Sequence, residues 1–153
     1  LTAGEGRVTA FDDTTANVTG SAPIEIWRAA NFGAEAGNAA LAGDLADYDK
    51  DGLSNLVEYA LNSDPKAAVP SHLPPPVTDG ETLSLTYRLN LAATDISVQL
   101  QSSTNLGSWS NTAATLQTLS DDGQTRVIRA TVPATGTRQF LRVLVTLGGA
   151  PVP

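Results

Sequence analysis

Twelve consecutive residues, Asp47-Tyr48-Asp49-Lys50-Asp51-Gly52-Leu53-Ser54-Asn55-Leu56-Val57-Glu58, constrain this chain more than any other stretch. Carboxylates stand at positions one, three and five of the segment, glycine at six and glutamate at twelve. In a tight loop every second side chain points inward, and Gly52 permits the sharp turn that such a loop needs. Inward carboxylates repel one another unless a cation joins them, and D-x-D-x-D-G-x5-E is the pattern of a calcium-binding loop. Calcium is a hard cation that takes about six to eight oxygens. Asp47, Asp49 and Asp51 can each offer a carboxylate, Leu53 its backbone carbonyl, Asn55 a ligand oxygen or a hold on water, and Glu58 both carboxylate oxygens. The expected metal set is therefore Asp47, Asp49, Asp51, Leu53, Asn55 and Glu58, with Ca2+ as the cofactor. A solvated acidic turn is the plainer alternative, but that many specified positions rarely coincide.

The end of this segment also predicts a helix. Leu53, Leu56, Val57, Ala60 and Leu61 fall on one face at helical spacing, and Asn62 with Asp64-Pro65 reads as the stop. An earlier helix is expected from Pro23, capped by Ser21 or Ala22 and ended by Gly33, with Ile24, Trp27 and Ala30–Asn31 recurring along it. Trp27 reads as a core anchor. Ala34 to Asp44 is alanine-rich but broken by Gly37 and Gly43, so a full helix entering the loop is not expected. Ahead of these, Arg7 to Phe11 reads as a strand, and Asn17-Val18-Thr19 matches a glycosylation acceptor.

Past Pro65 the pattern changes. Pro70, Pro74, Pro75 and Pro76 stiffen residues 66–80 into a linker. Beyond it Leu83, Leu85 and Tyr87 alternate with Ser84, Thr86 and Arg88, and Ile96, Val98 and Leu100 alternate with Ser97, Gln99 and Gln101. Residues 115–119, 126–132 and 139–147 extend the series, with Asp121-Asp122-Gly123 as a hairpin turn. The apolar run Phe140 to Leu147 is expected at the centre of a sheet. The fold class read from this is mainly β: an antiparallel β-sandwich preceded by a small α calcium-loop subdomain, a loop–helix (half EF-hand) motif. The expected division is an N-terminal strand or extension over 1–21, the helical calcium-loop module over 22–65, the linker over 66–80 and the β-sandwich over 81–150.

Composition excludes several function classes. A net charge of -7 gives no basic face for nucleic acid. No apolar run is long enough for a membrane-spanning helix. With no cysteine there is neither a disulfide framework nor a thiolate ligand. Catalysis is not expected: the one histidine, His72, lies in the linker, where an acid–base triad is hard to assemble, and the clustered carboxylates are those of the loop. A chain that starts at Leu1 and has no methionine is expected to be a processed product or a piece of a longer protein. Calcium abounds outside cells, where a weak single site suffices, so the expected location is extracellular or at the cell surface.

The segment WRAANFG leading to DYDKDGLSNLVEYALNSDP, with VQLQSSTNLGSWS and FLRVLVTL downstream, resembles a module found at the C-terminus of secreted bacterial proteins. In that module a single dockerin-like or thrombospondin-type-3-like calcium loop precedes a small β-domain. The resemblance covers about residues 24 to 147 and implies Asp47, Asp49, Asp51, Asn55 and Glu58 as calcium ligands. A dockerin carries two such loops; this chain carries one. The resemblance implies attachment, display or structural spacing rather than catalysis. The expected function is thus a non-catalytic, calcium-stabilised extracellular module for attachment, display or assembly, whose partners are other protein domains or copies of itself. The alternatives are a self-assembling structural subunit of a filament or surface layer, and a carbohydrate-binding module that meets polysaccharide through Trp109, Tyr87 and Phe140. One loop without a paired hand is expected to clamp a joint rather than to switch.

Overall fold

The computed structural model describes residues 21–68 and 73–148. The expected strand at Arg7–Phe11, the Asn17 tripeptide and His72 lie outside the described residues. Helix α1 spans Pro23–Phe32 and stops at Gly33, whose φ of 55° is left-handed backbone. A 3-10 turn, Gly33–Glu35, and the short α2, Ala39–Ala42, stand where glycines break the alanine-rich stretch. The Asn38 side chain caps α2 by accepting from the Ala40 amide at 3.1 Å. Helix α3 spans Asn55–Leu61 and ends on Asn62, left-handed at φ 52°.

The rest is β, in two antiparallel sheets. The strands are β1 (Val77–Thr78), β2 (Thr82–Asn90), β3 (Ile96–Ser103), β4 (Ser110–Asn111), β5 (Thr115–Asp121), β6 (Thr125–Pro133) and β7 (Phe140–Leu147). One sheet has the order β1-β2-β6-β5 and the other β4-β3-β7. The alternation in β2 buries Leu83, Leu85, Tyr87 and Leu89, and the pairings Leu83–Val132, Leu85–Ala130 and Tyr87–Ile128 put the apolar residues of β6 on the same face. That face packs with Leu141, Val98, Leu100 and Val143 of the second sheet. The two-residue strands β1 and β4 carry no periodicity of their own; their neighbours define them.

The final strand lies at the edge of its sheet, not at the centre as its composition suggests; β3 is the middle strand. Its apolar character is explained by α3, which packs alongside it and buries Val145 in a second cluster with Ile24, Leu56, Tyr59, Ala60, Ala93 and Ile96. At the opposite side, all seven residues of β5 are exposed. Leu116 pairs with the buried Ala130 and so shares the inner face, yet it is 54% exposed, because no described element covers that end of the sheet.

Helix α3 fills the gap beside β2. Strand β1 pairs with β2 only at Leu83 and Ser84. Beyond that point, Arg88 donates from Nε to the Leu61 carbonyl at 2.8 Å and from Nη2 to the Asn62 carbonyl, while Asn90 Nδ2 donates to the Tyr59 carbonyl at 2.9 Å. The last carbonyls of a helix have no partner within it; Arg88 supplies one to Leu61 and Asn62, and Asn90 adds a second to the Tyr59 carbonyl, which also accepts the Asn62 amide. Leu61 joins the inter-sheet cluster, so helix and strands share one core.

Candidate metal centre

The segment between α2 and α3 is a run of turns closed by its own carboxylates. Asp47 Oδ1 accepts from the Lys50 amide at 2.7 Å and Oδ2 from the Gly52 amide at 3.0 Å. Asp49 Oδ1 accepts from the Asp51 amide at 3.1 Å, and Asp51 Oδ1 from the Leu53 amide at 2.8 Å. Asx-type bonds like these turn the chain back on itself and draw the side chains to one side. Left-handed backbone at Lys50 (φ 64°) and Gly52 (φ 95°) completes the reversal. The base is tied down by the Asn55 amide on the Ala46 carbonyl at 2.8 Å and the Leu56 amide on the Asp44 carbonyl at 3.0 Å. Arg28 of α1 pairs with Asp44, anchoring the start of the loop to the first helix.

Six residues are expected from the spacing to hold a metal. One carboxylate oxygen from each of Asp47, Asp49 and Asp51 lies within 4.8 Å of the others. Oxygens on opposite sides of one calcium ion, each about 2.3–2.6 Å from it, stand roughly 5 Å apart, so the triad spans no more than one coordination sphere. Leu53 is next in the turn, its amide held by Asp51 and its side chain packed against the inter-sheet core. Asn55 is fully buried at the start of α3; its Nδ2 donates to the carbonyls of Leu41 and Gly43, both at 2.9 Å. Both side-chain protons of the amide are thereby engaged, and Oδ1 is left without a partner.

Glu58 stands one turn further along α3 with 0% exposure. Among the described residues neither of its carboxylate oxygens finds a hydrogen-bond partner, and Asp49 Oδ2 is likewise buried and unpartnered. A buried carboxylate without donors costs several kcal/mol, so native chains keep such groups paired or bound to cations. Its pKa is pushed up to about 7, first by burial and then by the carboxylates of Asp49, Asp51, Asp47 and Asp64. Four buried, unsatisfied oxygens therefore accompany an aspartate triad, and every donor is a hard oxygen. That donor set fits calcium; the nitrogen and sulfur donors that zinc favours are missing from it. When bound, calcium supplies the positive charge that this group of carboxylates lacks.

Sequence spacing does not mark Asp95, in the turn between β2 and β3. Its Oδ1 accepts from the Tyr59 hydroxyl at 2.6 Å and its Oδ2 from the Ile24 amide at 3.0 Å. Burial and this bond hold the Tyr59 phenol protonated well above its ordinary range. The three aromatics expected to meet polysaccharide do not form a platform. Tyr87 is buried in the core between the sheets. Phe140 and Trp109 are half-buried, and the Arg142 guanidinium lies over the Trp109 ring, 4.3 Å from its centroid. No family model, curated protein or solved structure matches the chain.

Proposed function

We propose that the chain is a non-catalytic, calcium-stabilised extracellular module for attachment, display or assembly. The loop from Asp47 to Glu58 with helix α3 is read as a half EF-hand, and Asp47, Asp49, Asp51, the Leu53 carbonyl, Asn55 and Glu58 as the ligands. The observation that carries this is Glu58, wholly buried with two unpartnered oxygens beside an aspartate triad. The mechanism is linkage: an ion that binds the folded state and not the unfolded one stabilises it, by about 2.7 kcal/mol at a hundred times its dissociation constant. Calcium abounds outside cells, where even a weak site of about 10⁻⁴–10⁻³ M affinity is filled, so the location proposed is extracellular or at the cell surface. The partners proposed are other protein domains or further copies of this chain.

Titration calorimetry with calcium, and melting curves in calcium and in chelator, test the reading. Heat of binding and a raised midpoint in calcium are expected. Neither heat nor shift in the wild-type chain would sink it. Self-assembly through strand edges is the second reading, favoured by β5, an edge strand with all residues exposed and Leu116 and Leu119 among them. Light scattering in calcium separates the two: discrete monomers support the attached module, growing particles the self-assembling subunit.

A further inference from the structure

We infer that α3 is an ion-locked cover over the free edge of β2 and that Asp95 is the joint through which it closes; the inference rests on the calcium reading of the loop. Among the described residues, β2 from Leu85 to Asn90 has β6 on one side and no strand on the other. Helix α3 packs against β2, its last carbonyls accepting from the side chains of Arg88 and Asn90, and Leu61 at its end enters the core behind β2. Helix α3 has only seven residues. A helix that short does not hold itself together in water, so its seat must come from what it packs on and what it binds.

Two neighbouring residues of α3 carry those two demands. Glu58 is wholly buried with both carboxylate oxygens without a hydrogen-bond partner, at the end of the loop whose three aspartates converge. Tyr59 is 2% exposed and its hydroxyl is bound to Asp95. Asp95 also accepts the Ile24 amide of α1, and its own carbonyl accepts the Gly148 amide at the end of β7. One residue thus ties α3, α1, the start of β3 and the end of β7. An aromatic chain runs parallel to it: Tyr48 of the loop meets Phe32 at 5.8 Å, Phe32 meets Trp27 at 6.0 Å, and Trp27 meets Tyr59 at 5.5 Å between ring centroids. Loss of the cation therefore loosens α3 and α1 together and bares the β2 edge, while the β2–β6 and β3–β7 pairings persist. The module without calcium is a sandwich with one side open.

Hydrogen exchange of the full chain, in millimolar calcium and in chelator, tests this alongside calorimetry. Chelation is expected to speed exchange by about tenfold or more over residues 24–32 and 55–62 and at the amides of 85–90 that face away from β6, and to leave the centre of β6 nearly unchanged. Trp27 emission, read in Trp109→Phe, is expected to change with the same calcium dependence. Asp95→Asn, which removes an acceptor while keeping the shape, is expected to lose most of the calcium-linked protection at 24–32 and 85–90. Because coupling is reciprocal, it is also expected to bind calcium several-fold more weakly. Tyr59→Phe serves as the milder variant should Asp95→Asn fail to fold. Calcium heat in the wild-type chain with unchanged exchange at 85–90 overturns the lock and leaves the metal site standing. Absence of calcium heat overturns both.

Discussion

Burial first, and then the charges of Asp49, Asp51, Asp47 and Asp64, push the Glu58 carboxyl from an ordinary 4.5 up to about 7, so that near neutral pH it is divided between its charged and neutral forms. Without a cation the folded chain holds this proton more tightly than the unfolded chain does. The stabilisation is complete below 4.5 and is lost as pH rises through about 7. In chelator, the melting midpoint is expected to rise as pH falls across that window. In excess calcium the trend over the same window should reverse, because protons then compete with the ion for Glu58. Glu58→Gln keeps the shape and removes the charge. It is expected to abolish the calcium shift and, in chelator above pH 7, to melt higher than the wild type. A midpoint in chelator that does not move with pH would show that Glu58 is not buried charge. The spacing of Asp47, Asp49, Asp51, Asn55 and Glu58 was legible from the sequence because these residues are close along the chain. Asp95 was not, because it is 36 positions from Tyr59 and nothing local marks it.

The short helix α3 and its entering turn depend on three left-handed positions, Lys50, Gly52 and Asn62. A Cβ added at Gly52, where φ is 95°, meets nothing within 4 Å, so Gly52→Ala tests backbone strain alone. A loss of about 1–2 kcal/mol is expected from the denaturant midpoint. Asn62, at φ 52°, tolerates the left-handed region better than most side chains do. Asn62→Gly should be neutral or slightly stabilising, and Asn62→Ala should cost about 1 kcal/mol by the same measurement. Both helix stops were readable from Gly33 and Asn62, since termination is local chemistry. The rank of β7 in its sheet was not: an apolar run buried by a helix reads the same as one buried between strands.

The two sheets and α3 enclose a shared core, and Leu61 contributes to it from the helix. At 1% exposure, Leu61→Ala is expected to cost about 2–5 kcal/mol, measured in calcium so that the loop stays constant. Leu116, half open on the uncovered side, is a contrasting probe: Leu116→Thr should change stability by less than about 0.5 kcal/mol. Removing calcium from the wild-type chain is expected to lower the melting midpoint by about 5–10 °C, from a linkage energy near 2.7 kcal/mol and a chain of this size. Equal midpoints in calcium and chelator would contradict that figure.

By itself the sequence determined the turn chemistry of Asp47 to Glu58, the apolar stripe of α3, the alternation of β2 and β3, and the hairpin at Asp121–Gly123. Each depends on residues within a few positions of one another, where spacing translates directly into geometry. Tertiary structure alone decided that α3 stands against β2 where no described strand pairs with it, that β7 lies outermost among the described strands, and that Asp95 meets both Tyr59 and Ile24. It also decided that Glu58 is sealed from water. An acidic loop in solvent and a buried carboxylate beneath it share the same twelve letters. Only the packing of the helix on the sheets separates a solvated turn from a group of buried oxygens without hydrogen-bond donors.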